Sequence, residues 1–102
     1  MGLSIELQDE RGNALDSVND IQNSLRRLLA SSDDRSRPML AAIDPYGDTT
    51  FNRLQMTRFL TEWTEISAKA SEPEEEALVS VIAAYARRCR GETHLYLKFI
   101  GD

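Results

Sequence analysis

The stretch from Thr93 to Ile100 alternates polar and apolar residues, with Leu95, Leu97 and Phe99 at every second position. Successive side chains of a β-strand point to opposite faces of its sheet, so this period of two predicts a strand with one buried face. The residues from Leu3 to Gln8 alternate in the same way. A chain with both segments has to build a sheet and cover one of its faces, and we expect both strands in the same sheet.

Three amphipathic helices are predicted between these strands, each from apolar residues at helical spacing and from residues suited to its ends. The first should begin near Asp16 or Ser17 and bury the apolar residues Val18, Ile21, Leu25, Leu28 and Leu29. The second should begin after Asn52, which with Gln55 resembles a capping box. The third should be capped by Ser71 with Glu74 and should stop at Gly91, with an apolar stripe of Leu78, Val81, Ile82, Tyr85 and Cys89.

The apolar run from Met39 to Ile43 reads as a short buried strand, bounded on both sides by turn residues. Asp44, Pro45 and Gly47 then favour a tight turn, in which Gly47 can adopt a left-handed conformation, and residues 49–51 favour a short return strand. The predicted order is β-α-β-(β)-α-α-β. We therefore expect a single α+β domain over residues 1–102, with three helices on one face of a small sheet.

Composition excludes several classes of protein. The only cysteine, Cys89, allows no intramolecular disulfide and no cysteine-rich metal site. Its place on an apolar stripe predicts an inert buried thiol, although three arginines flank it and a cationic setting would activate it. A net charge of −5 and a pI near 4.8 argue against binding to nucleic acid, because phosphate recognition needs a basic surface.

No apolar run approaches the length needed to cross a bilayer, and the first residues lack the pattern of a secretory signal. We therefore expect a cytoplasmic protein with no membrane partner.

No catalytic motif is present, and we expect no cofactor. His94 is the only histidine, and neither a Gly-x-Ser-x-Gly motif nor a glycine-rich phosphate loop occurs. Asp44 and Asp48 flank the turn and could shape it, contact a partner or bind a hard cation. A metal-binding protein or hydrolase would need Asp44, Asp48 and His94 to converge in space, with Asp102 as an optional fourth member.

Two surfaces are candidates for binding another protein. Tyr46 stands at the tip of the predicted turn, where an aromatic ring either anchors a partner or folds back over the core. The second surface is the face of the sheet that the helices leave open, which would carry His94, Tyr96 and Lys98 beside Ser4, Glu6 and Gln8. Such a face suits protein recognition, a homodimer, or simple exposure to water.

The segment from Ile43 to Asn52 and the ending His94-Leu-Tyr-Leu-Lys-Phe-Ile-Gly-Asp102 resemble small uncharacterised bacterial cytoplasmic proteins of similar length. In size, acidity and α+β layout the chain is also similar to immunity proteins that neutralise toxins of bacterial competition systems. That resemblance implies a non-enzymatic module that binds another protein. Our leading hypothesis takes Asp44, Tyr46, Asp48, His94, Tyr96 and Lys98 as its contacts, with a metal site or a structural homodimer as the alternatives.

Overall fold

The computed structural model describes residues 2–20, 23–30 and 35–101, and within them it confirms an α+β domain. The sheet has four strands, and four helices accompany it in the described residues. In chain order the elements are β1 (Ser4–Gln8), β2 (Ala14–Asn19), α1 (Ser24–Leu29), α2 (Pro38–Ala41), β3 (Asp48–Asn52), a 3-10 turn (Arg53–Gln55), α3 (Met56–Ser67), α4 (Pro73–Gly91) and β4 (Tyr96–Ile100).

The sheet is antiparallel throughout, in the order β2-β1-β4-β3. The strands predicted from alternation, β1 and β4, lie side by side at its centre, as expected. Residues directly opposite each other share a face, so the pairing of Ile5 with Phe99 and of Leu7 with Leu97 builds one apolar face. All four of these side chains are buried.

The helices cover that apolar face. The longest helix, α4, lies against β1, β2 and β4, α3 packs on α4, and the short α1 and α2 pack on α4 and α3 respectively. An aromatic cluster fills the space between α3 and the sheet, where the centroids of Phe59 and Trp63 are 5.4 Å apart in a stacked pair. Phe51 and Phe99 complete the cluster from the strands. Among the described residues no helix is long and apolar enough to cross a membrane.

The structure corrects the sequence prediction for residues 14–19, where the first helix was expected to begin near Asp16 or Ser17. These residues form the edge strand β2, which makes a hairpin with β1. Gly12 takes a φ of 84° in the connecting turn, and Asp9 accepts the amides of Arg11 and Asn13. Because most β2 side chains are exposed, the strand shows no apolar alternation that the sequence could reveal.

Helix α1 accordingly begins later than predicted, at Ser24, and neither Asp16 nor Ser17 caps it. The N-cap residue is Asn23, whose side chain makes no capping hydrogen bond; the carboxylate of Asp20 instead accepts the main-chain amides of Ser24 and Leu25 at 3.0 and 2.9 Å. Ile21, which the prediction placed on the apolar stripe, lies outside the described residues.

The strand predicted over residues 39–43 is also wrong, because Pro38–Ala41 forms the short helix α2. Pro38 occupies the first helical position, where the missing N–H removes no hydrogen bond. The predicted return strand does exist as β3, but it pairs with β4 and not with residues 39–43. The true order is therefore β-β-α-α-β-α-α-β.

The two long helices agree with the sequence more closely. Asn52 and Gln55 form the predicted capping box, which opens the 3-10 turn before α3. Helix α4 starts at Pro73 and ends at Gly91, but its box is one residue later than predicted, since Glu75 accepts the amide of Glu72.

Candidate functional site

The turn from Asp44 to Asp48, called the 44–48 turn below, is held by hydrogen bonds within the turn and to residues on β3 and after β4. Asp44 accepts the amide of Tyr46 at 2.9 Å and donates its own amide to the Thr49 hydroxyl at 2.9 Å. The carbonyl of Gly47 accepts the amide of Gly101 at 2.7 Å, which ties the turn to the end of β4. Asp44 thus closes the turn, as its sequence position predicts.

Glycine is needed at positions 47 and 101 because neighbouring atoms come too close for a Cβ, and neither residue has a positive φ. In the described residues, positive φ occurs at Gly12, Asn23 and His94, so Gly47 does not adopt the left-handed conformation that is open to it. A Cβ at Gly47 would lie 2.7 Å from a carboxylate oxygen of Asp44. A Cβ at Gly101 would lie 2.6 Å from the main chain of Pro45.

Tyr46 projects from the tip of the 44–48 turn with 71% of the residue exposed. Sequence left open whether the ring covers the core, and the structure places it outside. One face of the ring carries the guanidinium of Arg26, whose Cζ is 4.8 Å from the ring centroid. This cation–π contact holds the ring without burying it.

Asp48 and Lys98 meet across the β3–β4 pair on the open face of the sheet. The Lys98 ammonium lies 3.4 Å from an Asp48 carboxylate oxygen. Tyr96 shares this face two residues earlier along β4 and is half-buried. The same face continues across β1 with Ser4, Glu6 and Gln8, as the sequence predicts.

His94 does not belong to that face. It precedes β4, which begins at Tyr96, and its φ of 65° is not that of a strand residue. Its imidazole Nδ1 lies 3.3 Å from a carboxylate oxygen of Glu10 in the β1–β2 turn. Asp48 is opposite Ile100, six positions further along the chain than His94. At about 3.3 Å per residue the two sites are about 20 Å apart, at opposite ends of β4.

The structure therefore does not bring together the side chains that a hydrolase or metal site would need. Asp44 and Asp48 flank one turn, while His94 lies at the far end of the sheet; Asp102 is outside the described residues. Within the part of the chain that the structure describes, no group of three or more histidine, cysteine and carboxylate side chains could hold a metal ion.

Cys89 is buried on α4, where its thiol donates to the carbonyl of Leu95 at 3.3 Å. Burial raises the pKa of this thiol to about 11, which outweighs the opposing effect of Arg53. At neutral pH the thiol stays protonated, and it therefore lacks the activation that a nucleophile needs.

Buried carboxylates are the feature that sequence reasoning missed, and each has a structural role. Glu62 is 1% exposed and accepts the amide of Leu40 at 3.1 Å, which docks the start of α2 on α3. Its other oxygen accepts Nε of Arg58 at 2.8 Å. Its spacing from Phe59 and Trp63 puts Glu62 on the apolar stripe, which was the available signal.

Glu75 acts in the same way at the start of α4. It is 2% exposed, accepts the amides of Ser71 and Glu72 and forms an ion pair with Arg27. These main-chain hydrogen bonds, together with the Arg27 charge, hold the pKa of Glu75 below its usual value. Like the carboxylate of Asp20 at α1, that of Glu75 has a structural role, because it accepts main-chain amides at the start of a helix.

No protein-family model, curated protein or solved structure matches the chain. The site must therefore be interpreted from its own geometry.

Proposed function

We propose that this chain is a non-enzymatic protein-binding module of the bacterial cytoplasm, which captures a partner protein as a toxin-neutralising immunity protein does. The observation that supports the proposal is Tyr46, an aromatic side chain that is 71% exposed on a turn fixed by hydrogen bonds. The 44–48 turn is the anchor of the binding surface.

Binding through Tyr46 is favoured because its side chain is already ordered before a partner arrives. A partner that packs on Tyr46 finds the ring already held by Arg26, so less side-chain entropy is lost on association. Tyrosine and arginine are also the residue types that most often contribute a large share of the binding energy at protein interfaces.

Charge favours a basic partner. The chain has a net charge of −5, and Asp44 and Asp48 are exposed on either side of Tyr46. A negative field of this kind speeds the approach of a positively charged protein and is weakened by salt.

The proposed binding surface continues from the 44–48 turn onto the open face of the sheet, where it includes Lys98 and Tyr96. His94 lies about 20 Å from the level of Asp48, so it would contact only a partner that covers the whole length of β4.

The test is capture of a partner from a lysate of the source organism and from co-expression with the products of neighbouring genes. Tyr46→Ala should weaken capture at least tenfold, which corresponds to about 1.4 kcal/mol. Leu54→Ala is the matched control, because Leu54 is 80% exposed and lies beyond the opposite end of β3. Equal capture by wild type and Tyr46→Ala would remove the turn from the proposal.

Light scattering over a range of concentrations separates this function from a structural homodimer. A monomer at all concentrations is expected. A dimer that Lys98→Glu dissociates would show that the open face binds a second copy instead of a partner.

A further inference from the structure

Strand β2 is an edge of the sheet, and part of its main chain points outward. The amide of Asp20 donates to the carbonyl of Leu3 at 2.8 Å, so these opposed residues form a hydrogen-bonded pair. Bonded and non-bonded pairs alternate along an antiparallel ladder, which directs the N–H and C=O groups of Ser17 and Asn19 away from β1. In the described residues no main-chain bond outside the ladders reaches these groups.

A groove of about 310 Å³ adjoins the C-terminal end of this free edge on the helix side of the sheet. Its floor and walls are largely aliphatic and come from β2, α1 and the first half of α4; they include Val18, Ser24, Glu74, Ala77, Leu78 and Val81. The sequence predicts Val81 on the buried stripe of α4, yet it is 37% exposed here. Among residues 2–20, 23–30 and 35–101, the groove is therefore an apolar surface left open to solvent.

The charges around the groove select its occupant. Asp16 is paired with Arg88 at 3.1 Å and Glu75 with Arg27, so these carboxylates are already neutralised. Glu74 lines the groove and has no ion-pair partner among the residues that the structure describes. A ligand that supplies a lysine or arginine at this point gains an ion pair there.

A second copy of the chain does not supply that cation. The segment Ala14–Asn19 contains no lysine or arginine, so the β2 strand of a second copy offers Glu74 no basic side chain.

We propose that the β2 edge and this groove bind an extended segment of a basic partner protein, which adds to the sheet as a fifth strand. Main-chain bonds to Ser17 and Asn19 hold the segment, alternate aliphatic side chains cover Ala77 and Val81, and a basic side chain pairs with Glu74. The site lies at the opposite edge of the sheet from β3 and the 44–48 turn. It is therefore separate from the anchor of the proposed function and stands without it.

The spacing of the groove residues defines a peptide probe. Glu74 and Val81 are about 10 Å apart along α4, and alternate residues of a strand are about 6.6 Å apart. The probe is an acetylated and amidated heptapeptide, Lys-Thr-Val-Thr-Val-Thr-Lys. It reads the same in both directions, so it presents lysine, valine, valine and lysine to the groove in either orientation. Glu-Thr-Val-Thr-Val-Thr-Glu is the control peptide.

Titration of the isotope-labelled protein with the lysine peptide, followed by NMR, should shift the amide signals of Ser17 and Asn19 and slow their hydrogen exchange. Glu74→Lys should weaken binding at least tenfold. Glu76→Lys is the matched control, with the same change of net charge on the same helix turn but outside the groove, and it should bind within twofold of wild type. The glutamate peptide should not bind.

Substitution at the strand edge gives a second measurement. Ser17→Pro removes an outward N–H and no bond to β1, and proline is tolerated at edge strands. It should abolish binding while Ser17→Ala preserves it.

Three results would overturn the proposal. The first is no change at Ser17 and Asn19 at millimolar peptide. The second is equal loss of affinity in Glu74→Lys and Glu76→Lys, which would reveal unspecific attraction. The third is concentration-dependent broadening of the β2 amide signals without peptide, which would show that a second copy occupies the edge.

Discussion

The two faces of the central strand β4 contrast sharply within five residues. Leu97 and Phe99 are both 0% exposed and pack under the helices, whereas their neighbours Tyr96 and Lys98 stand on the open face. The covered face contains the aromatic cluster and supplies most of the apolar burial. The open face contains mainly polar side chains and the partly exposed Lys98–Asp48 ion pair, so it adds little to stability and stays available for contact.

Trp63→Ala should produce the largest loss of stability, because it empties the centre of the covered face. Trp63 is 1% exposed, stacks on Phe59 and donates its indole N–H to the carbonyl of Val79 at 3.0 Å. The expected loss is about 3–5 kcal/mol in the free energy of unfolding, measured by urea denaturation. Leu54→Ala, at an exposed site, should change it by less than about 0.5 kcal/mol. Similar values for both would refute the assignment of stability to the covered face.

Gly101→Ala should destabilise by more than about 1 kcal/mol, since the added Cβ meets the main chain of Pro45. Gly91→Ala is the control, because nothing lies within 4 Å of a Cβ there. Thermal unfolding of both variants gives the comparison. If Gly101→Ala were as stable as wild type, the 44–48 turn would have to move easily to make room for the Cβ, and it would not be preorganised.

Glu75 should make stability depend on pH. Its pKa is lower in the folded protein than the ordinary value of 4.5, so its contribution is fully present above that value and is lost as the pH falls through the folded-state pKa. Glu75→Gln should therefore be less stable than wild type at neutral pH, with a difference that shrinks on acidification. Urea midpoints over a pH series measure this, with Glu76→Gln, at an exposed site, as the control.

Lys98→Ala should have the smallest effect, below about 1 kcal/mol, because it removes only a partly exposed ion pair with Asp48. The same urea experiment applies, and added salt should reduce the difference further. A loss as large as that of Trp63→Ala would mean that the open face also holds the fold together.

The sequence predicted the elements whose residue pattern is set by local burial or by contacts with nearby residues in the chain. β1 and β4 alternate because one face of each is covered, and the cap before α3 depends on neighbours within three residues. The box of α4 was predicted one residue too early. β2 was missed because it is an exposed edge strand that the turn at Gly12 folds back onto β1. The pattern Val18, Leu25 and Leu28 also matches a helix by chance.

The candidate site was predictable to the same local extent. Asp44 closes its turn through contacts two residues away, and Tyr46 is exposed at the tip, one of the two positions that sequence left open. The contacts with Arg26 and Lys98 depend on long-range packing, as do the separation of His94 from Asp48 and the groove beside β2. No spacing in the sequence encodes those distances.

The role of Tyr46 in recognition is tested most directly by measuring unfolding and partner capture on the same preparation of Tyr46→Ala. We expect a free energy of unfolding within about 0.5 kcal/mol of wild type and a capture affinity at least tenfold weaker. Undiminished capture would contradict the proposed role of Tyr46 in recognition. A loss of stability above about 1 kcal/mol would instead show that the ring serves the fold.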